Sequence, residues 1–140
     1  MTAVTTSEQV AEAVQHVKSG ATTFCTNFFP AQPRLKAWID RGELAIECHP
    51  GCAFFLRRDR DFQHLYFSAS DPASLEPALA RFSELASLGI TADLVGPEKS
   101  LEALLRTFTN AGFRPYSRLL RLSRSAGVAD PLTVPGQAPI

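Results

Sequence analysis

Residues 43–70 hold three strand-like runs in succession, and the turns between them leave only one way to pair. The runs are 43–49 (ELAIECH), 53–58 (AFFLRR) and 62–70 (FQHLYFSAS), each rich in aromatic or aliphatic residues. The connections are His49-Pro-Gly-Cys52 and Arg58-Asp-Arg-Asp61. A parallel pair needs a crossover of about a dozen residues or more, so runs this close must form an antiparallel meander. Whatever else the chain builds is built around that sheet.

The flanking segments switch to helical periodicity. Val10, Ala13, Val14 and Val17 recur at i, i+3, i+4, i+7, which predicts a helix over 7–18. Thr6 and Gln9 form a capping-box pattern at its start, and Gly20 suits its end. Residues 21–29 (ATTFCTNFF) read as strand or extended loop, stopped by Pro30 and Pro33. Leu35, Trp38 and Ile39 give a short helix that Gly42 closes.

After the meander, Asp71-Pro72 opens a predicted helix over 71–87 with Leu75, Ala78, Leu79, Phe82 and Leu85 on one face. Residues 90–95 (ITADLV) predict a short buried strand. A helix follows from Gly96-Pro97 with the stripe Leu101, Leu104, Leu105, Phe108, ended by Gly112. Residues 113–124 read as a last strand, and the Ala-, Gly- and Pro-rich 125–140 as a loose tail. The expected architecture is α+β: a single domain over 1–124, a mainly antiparallel central sheet (meander, then αβαβ), and helices on both faces.

Composition narrows the function classes. Lys+Arg and Asp+Glu are both 14, so no basic field points to nucleic acid. No apolar run reaches the ~18 residues of a membrane helix. The N-terminal stretch lacks the basic and apolar regions of a secretory signal, and three cysteines cannot all pair. A reduced, cytoplasmic setting is the expectation. Zero net charge gives no electrostatic barrier to self-association, so a homodimer is an expected partner arrangement.

The order of elements, with Thr107-Phe-Thr-Asn-Ala-Gly-Phe-Arg-Pro-Tyr116 near the end, resembles the GNAT fold of acyl-CoA N-acyltransferases over about residues 7–124. The resemblance implies an acyl-CoA such as acetyl-CoA held where the strands 62–70 and 90–95 splay apart. Phe67, Ser68, Ala69, Ser70 and Ser74 would be the cofactor-binding positions. Tyr66 and His64, on one face of the same strand, would be the base candidates for acyl transfer to an amine. A backbone N–H on that strand would polarise the thioester carbonyl.

Three departures move the expectation toward a degenerate member acting as a ligand-binding, regulatory or dimerising domain. The turn Ser68-Ala-Ser-Asp-Pro-Ala-Ser74 lacks the family's glycines, and Asp71 sets a carboxylate in the phosphate path. The position of the family's tyrosine acid is Phe108, which has no proton to give. The family's seventh strand has no clear counterpart, so a tandem GNAT-like partner or a second chain would fill that slot. The alternatives are an active N-acyltransferase with a glycine-free cofactor turn, and an interaction module without pocket chemistry.

Other constellations are weaker. Cys48-His49-Pro-Gly-Cys52 with Cys25 offers only one paired ligand cluster, where structural zinc usually has two, so no metal is expected. Cys25 with His49 or His64 could be drawn as a nucleophile pair, without spacing to support it. The basic stretch Arg114, Arg118, Arg121, Arg124 suits a charged sheet edge.

Overall fold

The computed structural model describes residues 1–86 and 89–115. In chain order the elements are β1 (Thr2–Ala3), α1 (Ser7–Ser19), β2 (Cys25–Thr26), α2 (Gln32–Asp40), β3 (Leu44–His49), β4 (Cys52–Arg58), β5 (Gln63–Ala69), α3 (Pro72–Ala80), β6 (Ile90–Thr91) and α4 (Glu98–Asn110). The meander forms as the short turns require, β3 to β4 to β5, all antiparallel. β1 adds an antiparallel edge beside β3. Among the described residues the result is a mixed, open, six-stranded sheet.

The far edge of β5 is divided between two short strands. β2 lies antiparallel against its C-terminal end, with Cys25 opposite Ala69 and Thr26 opposite Ser68. β6 lies parallel against its N-terminal end, with Gln63 opposite Ile90 and His64 opposite Thr91.

Alternation along the strands builds two cores, one on each sheet face. Cys52, Phe54, Leu56, Leu65 and Phe67 pack with Leu75 and Leu79 of α3 and with Leu104 and Phe108 of α4. Leu44, Ala53 and Phe55 pack on the other face with Val10 and Val17 of α1 and with Leu35 and Trp38 of α2. Because both faces are covered, β4 is apolar without a break from Cys52 to Leu56. Each large side chain so buried contributes about 1.5–3 kcal/mol.

The helices start and stop where local chemistry dictates. At α1 the Thr6 hydroxyl accepts from the Gln9 amide, and the Gln9 side chain accepts from the Thr6 amide. At the end of α4, Gly112 adopts a φ of 101°. Its N–H bonds Thr109 O, and Phe113 N–H bonds Phe108 O. This pair of bonds is a Schellman cap, and the Phe108–Phe113 ring contact at 5.1 Å is its usual hydrophobic partner.

Two expectations need correction and a third is narrowed. The helix expected over 71–87 ends at Ala80. Arg81, Phe82 and Leu85 turn onto i−3 carbonyls, and the Ser83 amide goes instead to the Glu47 carboxylate on β3. Phe82 and Leu85 still reach the core. The strand expected over 90–95 pairs only at Ile90 and Thr91, because the Asn27 side chain then takes the Asp93 carbonyl. Within 21–29 only Cys25 and Thr26 form a ladder. The strand expected over 113–124 falls outside the described residues from Tyr116 onward, as does the tail over 125–140.

Candidate functional site

The junction between β5 and α3 is where the resemblance places a cofactor pyrophosphate, and its groups already have partners inside the chain. Asp71 is the N-cap of α3, and its carboxylate accepts from the Ser74 amide at 2.7 Å. The Ser70 amide donates to Gly51 O at 2.8 Å. The Ser70 and Ser74 hydroxyls lie 3.1 Å apart and bond each other. The β3–β4 hairpin turn sits directly over them. Gly51 has a φ of +71°, and a Cβ placed there would come within 2.9 Å of Ser70 Oγ and 3.0 Å of Ser74 Oγ. Only glycine lets the hairpin approach so closely.

The opening between β5 and β6 is filled as well. Asn27 follows β2, is 8% exposed, and uses every part of its amide. Its Oδ1 accepts from Phe67 N–H at 2.7 Å. Its Nδ2 donates to Leu65 O at 3.3 Å and to Asp93 O at 2.9 Å. A side-chain amide here does what a peptide group of a neighbouring strand would do, bridging the two strands where they part. Thr26 adds to the closure, donating from its hydroxyl to Phe67 O at 2.7 Å and lying 3.0 Å from Ser68 Oγ. Of the expected cofactor positions, Phe67, Ser68 and Ala69 are thus under β2 and Asn27, while Ser70 and Ser74 are under Gly51.

His64 and Tyr66 do share a face, as the alternation of β5 requires, and it is the α1/α2 face. Tyr66 is half-buried. Its ring lies 5.9 Å from Trp38, 5.3 Å from Phe28 and 6.4 Å from His64. Burial pushes its phenol up, Asp93 adds to this, and Arg57 and Arg34 pull the other way. A phenol so raised stays protonated, making Tyr66 a hydrogen-bond donor rather than a ready base. His64 Nε2 lies 3.9 Å from Asp59 Oδ2, and Nδ1 lies 3.5 Å from Thr91 Oγ1. Arg57 stands over the Trp38 ring at 4.9 Å and is paired with Glu43 at 3.3 Å and Asp59 at 3.7 Å.

The remaining sequence candidates resolve into structural roles. Phe108 is buried against Phe67, with ring centroids 5.6 Å apart. The Gly-Phe pair that carried the resemblance is fully used in the α4 cap. Burial, with Asp71 nearby, pushes the Cys25 thiol up to about 11, and burial raises Cys48 and Cys52 also. None has the thiolate character a nucleophile needs. All three cysteines are free. Among the described residues no cluster of three or more His, Cys, Asp or Glu side chains is placed to hold a metal ion. No described helix is long and apolar enough to cross a membrane.

Two polar centres had no clear signal in the sequence. Asn27 stood in an aromatic stretch with nothing to mark partners 38 to 66 positions away. Glu47 looked like an ordinary strand-surface carboxylate. Its oxygens in fact accept from Ser83 N–H and the Ser83 hydroxyl, and from His49 Nε2 at 2.7 Å. Burial alone would raise the Glu47 carboxyl, but the bonds from Ser83 and His49 outweigh it and hold it below its ordinary value.

No protein family, curated protein or solved structure matched this chain.

Proposed function

We propose that this domain is a GNAT-like binding module that has given up its acyl-CoA cleft to its own chain. The segment 23–28 lies along β5 and bridges toward Asp93, at the splay where the resemblance would seat the acyl-CoA, and the α3 N-terminus is capped by Asp71 and roofed by Gly51. The reading rests above all on the Phe67 N–H, the strand amide best placed to polarise a thioester, which is bonded to Asn27 Oδ1 at 2.7 Å. The element order β1-α1-β2-α2, meander, α3-β6-α4 supports the family likeness. The filled cleft speaks against acyl transfer at this position and in favour of a binding or regulatory role elsewhere on the domain.

The test is a thermal-stability titration with acetyl-CoA and with CoA. A ligand specific for the folded state raises the midpoint in step with ln(1 + [L]/Kd). The reading expects no rise at about 1 mM of either compound, a range in which even weak cofactor sites respond. A saturable rise would restore the acyltransferase alternative.

A further inference from the structure

We draw no further inference here: the strongest candidate, the groove between α1 and the end of β3 lined by Glu12, His16, Cys48 and His49, presents only polar groups that are exposed to solvent or, as His49 is by Glu47, already paired within the chain, and nothing in the structure shows what covers it.

Discussion

Replacing Asn27 by alanine tests the polar bridge on which the arrangement of β2, β5 and β6 depends. The side chain makes three hydrogen bonds, to Phe67 N–H at 2.7 Å, Asp93 O at 2.9 Å and Leu65 O at 3.3 Å. Each contributes about 1 kcal/mol net, and a donor or acceptor left buried and unmet costs about 1–3 kcal/mol. Phe67 and Leu65 are fully buried, so water reaches their orphaned groups poorly. A loss of about 3 kcal/mol follows, which for a domain of this size lowers the midpoint by roughly 10 °C. Asn27→Asp is the sharper control. It keeps an acceptor for Phe67 N–H but sets carboxylate oxygen against the Leu65 and Asp93 carbonyls, so it should cost at least as much. The assay is urea or thermal unfolding followed by circular dichroism. A midpoint shift of only about 2 °C in Asn27→Ala, or a fully tolerated Asn27→Asp, would refute the reasoning, since neither is compatible with a buried three-way bridge.

Other predictions follow from the junctions. Gly51→Ala places a side chain at a φ of +71° against Ser70 and Ser74, and should cost about 2 kcal/mol by equilibrium unfolding. Unchanged stability there would mean the hairpin does not press on the α3 N-terminus. The Glu47 carboxyl is lowered in the folded state, so its contribution is present above the unfolded value, about 4.3, and is lost as pH falls through the lower folded value. Acid titration of stability should therefore show a shallower decline in Glu47→Gln than in the parent chain, and identical slopes would contradict the Ser83–His49 clasp. With a thiol reagent at about pH 8, exposed Cys48 should react first, and buried Cys52 only on unfolding. Prompt reaction of all three thiols would contradict the packing around Cys25 and Cys52.

Much of the fold was legible because its signals are local. The 43–70 meander follows from turn length, the start of α1 from Thr6 and Gln9, and the end of α4 from Gly112 and Phe113. Each needs only residues a few positions apart. What escaped is non-local. β1 had no signal, and β2 and β6, anticipated within 21–29 and 90–95, pair over only two residues each because that is what the free edge of β5 takes up. The early end of α3 at Ala80 reflects the pull of Glu47, 36 positions away, on the Ser83 amide.

The site shows the same division. Alternation correctly set His64 and Tyr66 on one face. It could not reveal that Asn27 lies across the strand amides and takes the Asp93 carbonyl, or that Trp38 stacks on Tyr66, because those encounters depend on how α2 and the residues after β6 dock on the sheet. Phe108 and Asp71, which looked like departures from a catalytic pattern, have positive roles as core and N-cap.

Amide hydrogen exchange at Phe67 tests the filled cleft most directly. With its N–H bonded to Asn27 Oδ1 and closed over by β2, the Phe67 amide should exchange only through large-scale opening. Its protection should match that of the β4 core amides, and adding CoA should leave it unchanged. An amide that exchanges near the rate of open loops, or one that becomes protected only when CoA is present, would contradict the account.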